Sequence, residues 1–115
     1  MKIYHNPRCT KSRQTLALIL AAGIEPEVIE YLDNPPTPSE LDGLLKTLKL
    51  QPRDLMRKGE AIYKELGLKD RELTREEAIE LMVKHPKLIE RPIVVSGRQA
   101  ILGRPPENVK PLLPE

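Results

Sequence analysis

Residues 2–23 read KIYHNPRCTKSRQTLALILAAG, and most of the fold prediction rests on them. The apolar pair at positions 3 and 4 predicts a short buried strand. Pro7 interrupts that strand, because proline has no N–H group to give to a central strand. From Ser12 onward the residues are strong helix formers, and no breaker occurs before Gly23, a residue typical of the position just past a helix end. A strand followed by a helix is the first half of a βαβ unit.

The predicted helix is apolar on most of its sides. Leu16, Ile19 and Leu20 lie at helical spacing on one stripe. Leu18 and Ala21 widen that stripe around the helix. A helix with this pattern is typically central and well covered, and we expect the same here.

A second strand follows this helix. Val28, Ile29 and Tyr31 come after Pro26 and have the composition of a short strand. Residues 2–31 therefore predict one complete βαβ unit, with the right-handed connection that such units have.

The middle of the chain, about residues 37–86, has the pattern of a helical block. Thr37 and Glu40 have the spacing of a capping box, and Pro38 occupies the first helical position. Leucine then repeats at i, i+3, i+4 and i+7, which predicts a helix with one face in the core. These leucines are Leu41, Leu44, Leu45 and Leu48.

Two more helices are expected in this block. A short one opens at Pro52. It carries Leu55, Met56 and Arg57. The other begins after Thr74, where Glu77 completes a second capping box, and it must end near Pro86.

The last quarter of the chain returns to strand patterning. Residues 92–95, PIVV, are mainly β-branched, and Ser96 and Gly97 form a turn signal. Residues 99–102 can then return as the partner strand of a hairpin. A final short helix is predicted from three apolar residues at helical spacing, which are Val109, Leu112 and Leu113.

This order of elements predicts the α/β class. A βαβ unit and a hairpin can share one four-stranded mixed sheet covered by helices. The result is a thioredoxin-like fold with a helical insertion, at about residues 37–86, between the βαβ unit and the C-terminal β-hairpin. A length of 115 residues suits a single domain, residues 1–115.

Composition narrows the function classes. Charged residues make up 31% of the chain and hydrophobic residues 39%, which is typical of a globular protein. A net charge of +2 and three tyrosines as the only aromatic residues argue against nucleic-acid binding. No apolar run is long enough for a membrane span, and the first residues are too polar for a secretory signal. One cysteine cannot form an internal disulfide, which fits a reducing cytoplasm.

That one cysteine, Cys9, lies in the predicted turn before the first helix. A helix N-terminus carries about half a positive charge and several unpaired N–H groups, which favour a thiolate and suit an oxyanion. We therefore expect a pKa for Cys9 below the usual value of about 8.5. Arg8, Lys11 and Arg13 would lower it further if they face the sulfur. A small buried hydrophobe, or a partner for another chain's cysteine, is the alternative, but the polar neighbours Arg8 and Thr10 favour a reactive thiol.

Other groups near this turn give weaker signals. Ser12 stands where a Cys-x-x-Cys redox pair would have its second cysteine, so that pair is excluded. His5 could orient the loop or stabilise its charge, or it could be a simple hydrogen-bonding residue. One cysteine and two histidines, His5 and His85, lack the spacing of a metal site, so no metal is expected.

The loop YHNPRCTKSR, residues 4–13, strongly resembles the active-site loop of ArsC-type arsenate reductases, the class coupled to glutathione and glutaredoxin. It is most similar to the small ArsC-like subgroup that has Cys-x-Lys-Ser-Arg after His-Asn-Pro. Three further matches follow in the same order, which are LMRKGEAIYKELGL at 55–68, HPKLIERPIVV at 85–95 and ILGRPPENV at 101–109. The resemblance covers nearly the whole chain and implies the thioredoxin-like fold expected above.

The resemblance also implies roles for individual residues. Cys9 would be the catalytic cysteine. Three arginines, Arg57, Arg91 and Arg104, would bind the oxyanion, since planar guanidinium groups suit a tetrahedral anion.

Supporting roles are implied for four further residues. His5 would help to hold the thiolate, and Pro92 stands where thioredoxin-like folds keep a cis proline beside the active cysteine. Ser12 and Lys11 complete the loop around the sulfur.

The implied activity is the reduction of arsenate, or of a similar small oxyanion, to arsenite by the Cys9 thiolate. Glutathione would be the co-substrate and glutaredoxin the protein partner, with no bound cofactor. One cysteine would suffice, because the second and third thiols come from outside the chain.

Two positions depart from the arsenate reductases proper, which have Gly-Thr after the cysteine where this chain has Thr10 and Lys11. Thr10 lacks the conformational freedom of glycine, and Lys11 adds a charge or changes the ligand. Two alternatives therefore stay open. One is a glutathione-linked thiol oxidoreductase that acts on another substrate, such as a glutathione mixed disulfide. The other is an Spx-like regulator that binds RNA polymerase, although those regulators often use a Cys-x-x-Cys switch that Ser12 removes here.

Overall fold

The computed structural model describes residues 1–114, which form two compact units. The first unit contains residues 1–34 and the chain from Arg91 onward, and the second is Pro35–Glu90. The second unit corresponds to the helical insertion predicted at about 37–86. The assignment of residues 1–115 to a single domain stays a prediction, and Glu115 lies outside the described residues.

The first unit is built on a four-stranded mixed sheet with the strand order β2-β1-β3-β4. The strands are β1 (Lys2–His5), β2 (Glu27–Glu30), β3 (Ile93–Ser96) and β4 (Gln99–Leu102). β1 and β2 pair in parallel, whereas β1 with β3 and β3 with β4 pair antiparallel. This arrangement confirms the predicted α/β class, with a βαβ unit and a hairpin in one sheet. β2 ends just before Tyr31, one residue earlier than expected.

The core of this unit lies on the sheet face that carries Ile3 and Val94, which are paired in register. Helix α1 (Thr10–Ala21) adds Ile19 to this core, and the final 3₁₀ helix (Pro106–Leu112) adds Val109. All four residues are completely buried. The predicted final short helix is therefore present, in the tighter 3₁₀ form.

The prediction that α1 is covered on most sides is wrong. Its buried residues are Ser12, Thr15 and Ile19, whereas Leu20 is 52% exposed and Ala21 is also exposed. Within its own unit, α1 packs on one face of the sheet and on the 3₁₀ helix. Only the α1 residues that face these two elements are buried. The apolar composition of the helix therefore overstates its burial.

The second unit contains α2 (Pro38–Leu48), α3 (Ala61–Glu65) and α4 (Arg75–Lys84), with 3₁₀ turns at Pro52–Leu55 and Pro86–Leu88. Both predicted capping boxes are confirmed. The hydroxyl groups of Thr37 and Thr74 each accept a hydrogen bond from the N–H three residues later, at 3.1 Å. α2 buries Leu41, Leu44 and Leu45, as the leucine spacing predicts.

The region after Pro52 differs from the prediction. The expected short helix is a single 3₁₀ turn that ends at Leu55, so Met56 and Arg57 lie beyond it. Met56 forms an antiparallel β-bridge with Ile89, and the N–H of Arg57 donates to the carbonyl of Leu88 at 2.7 Å. These pairings with a distant segment hold the chain extended where local sequence favours a helix. α3 is an element that the sequence did not predict.

Among the described residues, no helix is both long and apolar enough to cross a lipid bilayer.

Candidate active site

Cys9 is the N-cap residue of α1, with extended backbone angles (φ −95°, ψ 122°) and a side chain that is 8% exposed. Its own N–H donates to the carbonyl of Asn6 (3.0 Å), and its carbonyl accepts from the N–H of Arg13 (3.0 Å). The turn between β1 and α1 is therefore closed by backbone bonds on both sides of the cysteine. The predicted position of Cys9 at the helix N-terminus is confirmed.

Side chains brace this turn further. The Asn6 Oδ1 atom accepts from the N–H of Arg8 at 3.0 Å. The Arg13 guanidinium folds back, donating to the Pro7 carbonyl at 2.9 Å and to Thr10 Oγ1 at 3.3 Å. Arg13 therefore holds the loop together. Asn6 is a residue that the sequence analysis missed, and its place before Pro7 in the loop motif was the available signal.

The pKa of the Cys9 thiol lies below its ordinary value, as the sequence analysis predicts. Burial raises this pKa, but four stabilising interactions with the thiolate outweigh it. The backbone N–H groups of Ser12 and Lys11 act on the sulfur, as do the charges of Arg91 and Arg104. These N–H groups belong to the first turn of α1, where unpaired backbone donors favour a thiolate over a thiol.

The Arg104 guanidinium lies beside the sulfur, with its Nη1 atom 3.8 Å from Cys9 Sγ. The same nitrogen lies 3.5 Å from the carbonyl oxygen of Arg91. Arg8, Lys11 and Arg13 were expected to lower this pKa only if they face the sulfur. The charges that lower it are those of Arg91 and Arg104, both distant in sequence, and Lys11 contributes through its backbone N–H.

His5 and Ser12 form a buried polar pair next to this turn. His5 Nδ1 and Ser12 Oγ are 2.6 Å apart, and Ser12 Oγ also accepts from the N–H of Asn6 at 3.0 Å. Burial lowers the pKa of His5 below 6.5; Arg13 lowers it further, and Glu30 opposes this shift. A lowered pKa favours the neutral imidazole, and His5 supports the loop through its contact with Ser12.

Pro92 is buried at the start of the hairpin, and the Arg91–Pro92 peptide bond is cis, the isomer that the family resemblance implies. The Arg104–Pro105 bond is also cis. Both arginines that act on the Cys9 thiolate thus directly precede a proline.

Arg57 belongs to the second unit, and its role at the oxyanion stays a prediction. Its guanidinium contacts Glu60 (2.8 Å) and Glu90 (3.8 Å). An anion that binds Arg57 would have to compete with these two carboxylates. Within residues 1–114, no group of three or more His, Cys, Asp or Glu side chains could hold a metal ion.

Fold and site together define a class of protein, which is a thioredoxin-like α/β protein with an activated cysteine at the N-terminus of its first helix. The model of the ArsC family matches residues 4–112. The chain therefore belongs to the ArsC family, which confirms the resemblance seen in its motifs.

Several known proteins are similar to this chain over nearly their whole length. The uncharacterized protein YfgD of Escherichia coli K12 is 54% identical over 95% of this chain and 92% of its own. An arsenate reductase of Neisseria meningitidis serogroup B is 45% identical over 98% of this chain and 97% of its own. The solved structure of an arsenate reductase from Vibrio cholerae superposes with a TM-score of 0.93, at 51% identity and 98% coverage of both chains.

Proposed function

We propose that this chain is an arsenate reductase, which reduces arsenate to arsenite through the Cys9 thiolate with glutathione and glutaredoxin as reductants. One observation carries the proposal: Cys9 has a lowered pKa and lies 3.8 Å from the Arg104 guanidinium, with the charge of Arg91 acting on the same sulfur. The names of the relatives in Neisseria and Vibrio support arsenate as the substrate.

The chemistry requires this combination of groups. Arsenate and a thiolate are both negative at neutral pH, so they repel one another unless fixed cations lie between them. The N–H groups at the start of α1 and the guanidinium of Arg104 can donate to arsenate oxygens beside the sulfur. Because Arg104 is largely exposed, its remaining N–H groups are accessible to an incoming anion.

The proposed reaction proceeds in four steps. The Cys9 sulfur attacks arsenic, an As–S bond forms, and one oxygen leaves as water. Glutathione displaces a second oxygen, also lost as water, to form a sulfur–arsenic–sulfur adduct. A glutaredoxin thiol then attacks the glutathione sulfur, and the electron pair of that As–S bond reduces As(V) to As(III). Water releases arsenite and returns Cys9 as a thiol, while the two external sulfurs end as a mixed disulfide.

The remaining residues of the proposed site have supporting roles. His5 and Ser12 brace the turn, Lys11 presents its backbone N–H to the sulfur, and Pro92 shapes the start of β3. We assign oxyanion binding to Arg91 and Arg104, and the same role for Arg57 rests on the family resemblance alone. No bound cofactor is needed, since glutathione is a co-substrate, and the cytoplasm would supply the reduced thiols that the cycle consumes.

The test is a coupled assay with arsenate, glutathione, glutaredoxin and an NADPH-dependent system that recycles glutathione. We expect NADPH loss that depends on arsenate and disappears in Cys9→Ser, while Lys58→Ala, an exposed lysine of the second unit, keeps the rate. No arsenate-dependent loss, with Cys9 still reactive toward iodoacetamide, would overturn the proposal.

A thiol oxidoreductase acting on a glutathione mixed disulfide is the second candidate, and one observation favours it. Arg57 already contacts the carboxylates of Glu60 and Glu90, which weakens the case for three arginines on one oxyanion. Turnover of a glutathione mixed disulfide without turnover of arsenate would select this function. Tight RNA polymerase binding that survives Cys9→Ala would instead select the Spx-like regulator.

A further inference from the structure

The residue before Arg104 is tied to two other parts of the first unit. The N–H of Gly103 donates to the carbonyl of Pro92 at 2.9 Å, next to β3. The carbonyl of Gly103 accepts from the Thr15 hydroxyl of α1 at 3.2 Å, a buried contact that spans 88 positions in sequence. Gly103 thus joins the hairpin to the helix that carries Cys9.

The space around the Gly103 Cα atom is too small for a side chain. A Cβ atom at this position would lie 2.8 Å from Pro92 Cγ and 2.9 Å from Thr15 Cγ2, and it would also collide with Thr15 Oγ1. Thr15 itself is completely buried. The backbone before Arg104 therefore packs directly on the Thr15 side chain, with no room for a side chain of its own.

Asn108 ties down the two neighbouring peptide groups. Its side-chain Nδ2 donates to the carbonyls of Leu102 and Arg104, each at 3.2 Å. The carbonyls of three successive residues, 102 to 104, consequently accept side-chain hydrogen bonds from Asn108 or Thr15.

We propose that Thr15 and Asn108 are positioning residues, which fix the backbone at residues 102–104 so that the Arg104 guanidinium stays beside the Cys9 sulfur. A long, exposed arginine loses side-chain entropy when it is held in one place, so its position depends on a fixed backbone. Thr15 lies on the same helix as Cys9, six residues later. One rigid element therefore carries both the sulfur and an anchor for the cation that stabilises it.

This positioning matters because the attraction between a guanidinium and a thiolate falls as their separation grows. Arg104 is one of the two charges that lower the pKa of Cys9. Releasing its backbone would weaken that stabilisation without removing any charge. The inference deepens the proposed function and rests on it only in taking Cys9 as the reacting group.

The experiment measures the rate of Cys9 alkylation by iodoacetamide against pH, using the full chain. Thr15→Val removes the hydroxyl group but keeps the side-chain shape, and Asn108→Ala removes an exposed amide. Both should raise the midpoint pH of alkylation by at least half of the rise caused by Arg104→Gln. Thr15→Ser keeps the hydroxyl group and should keep the wild-type midpoint.

A matched control separates this effect from a general effect on helices. Thr15 Oγ1 shares its one proton between the carbonyl of Gly103 and the closer carbonyl of Lys11, which is 2.8 Å away and one turn earlier on α1. Thr47 makes the same kind of bond on α2, to Gly43 at 2.9 Å. Thr47→Val should therefore leave the midpoint unchanged, since no residue of the proposed site depends on it.

A double-mutant cycle decides between positioning and a structural role. In an Arg104→Gln background, Thr15→Val and Asn108→Ala should cause no further rise, because the charge that they position is already absent. A rise of the same size in both backgrounds would overturn the inference, as would unchanged midpoints in Thr15→Val and Asn108→Ala. If Thr15→Val does not fold by circular dichroism, the exposed Asn108→Ala still decides the result. The readout uses no arsenate, so failure of the proposed reductase activity would not alter it.

Discussion

The Nδ1 atom of His5, at the end of β1, lies 2.6 Å from the hydroxyl oxygen of Ser12, in the first turn of α1. The Ser12 oxygen also accepts the N–H of Asn6, so one hydroxyl group joins the strand, the turn and the helix around Cys9. Ser12 is completely buried and His5 is 6% exposed. The loop that carries the sulfur is therefore fixed by a polar contact that water does not reach.

Removal of this hydroxyl group should destabilise the protein. In Ser12→Ala, the buried His5 nitrogen and the Asn6 N–H each lose a partner, which should lower the free energy of unfolding by about 1–3 kcal/mol. Urea denaturation measures the loss. Ser39→Ala, at an exposed position of α2, should change stability by less than about 0.5 kcal/mol. Equal effects of the two substitutions would show that the Ser12 contact is not stabilising.

The lowered pKa of His5 predicts a stability that depends on pH. Burial disfavours the imidazolium form in the folded protein, so only the unfolded chain takes up a proton readily as the pH falls below 6.5. Stability should be complete above that pH and should decrease below it, down to the folded-state pKa. His5→Gln should flatten this decrease in urea titrations at several pH values. A wild-type stability that stays constant through this range would contradict the prediction.

The cations acting on Cys9 should be separable by their effect on its reactivity. Arg91→Gln and Arg104→Gln should each raise the midpoint pH of alkylation by iodoacetamide, because each removes a charge that lowers the pKa of the thiol. Lys11→Gln should change it much less, since Lys11 acts on the sulfur through its backbone N–H, which the substitution keeps. A larger effect of Lys11→Gln than of either arginine variant would reverse this assignment.

Oxyanion binding should depend on the shape of Arg91 as well as on its charge. Arg91→Lys keeps the positive charge but loses the planar fork of donors, which should weaken arsenate binding about tenfold. Lys11→Ala should weaken it by less than about twofold, as expected for an exposed, solvated charge. Protection of Cys9 from alkylation by increasing arsenate measures both affinities. Similar losses in the two variants would remove Arg91 from the oxyanion site.

Two glycines should respond to alanine in opposite directions. Gly103→Ala forces a methyl group against Thr15 and Pro92, which should cost about 1–3 kcal/mol of stability. Gly43→Ala, in α2, meets no atom within 4 Å and should stabilise the protein by about 0.5–1 kcal/mol. Thermal unfolding of both variants tests the pair. Adding Thr15→Ala to Gly103→Ala should recover part of the loss, and no recovery would place the collision elsewhere.

Features with local causes were predictable from the sequence. The capping boxes at Thr37 and Thr74 depend on residues three positions apart, and both are formed. Gly23 was predicted just past the end of α1 and Gly97 in the hairpin turn. Both adopt positive φ angles at these positions, +82° and +58° respectively. Such signals are complete within a few residues, so no tertiary information is needed to interpret them.

Features that depend on distant partners were not predictable in the same way. The helix expected beyond Pro52 stops at Leu55 because Met56 pairs with Ile89. The sequence around Met56 contains no pattern that predicts this pairing. Leu20 belongs to an apolar helix and is nevertheless exposed, since burial depends on what packs against a residue. Helix propensity is a property of the local segment, whereas the residues that pack against that segment depend on the fold of the whole chain.

The amino-acid sequence by itself determined that the single cysteine lies at the N-terminus of the first helix, because strand, break and helix formers are adjacent in the chain. The family resemblance named Arg91 and Arg104 as oxyanion ligands, but only the tertiary structure showed that their charges act on the sulfur. Arg104, 95 positions away, lies beside the sulfur, while Arg13, four positions away, turns back onto the carbonyl of Pro7. Electrostatic attraction depends on distance through space, and distance along the chain does not reveal it.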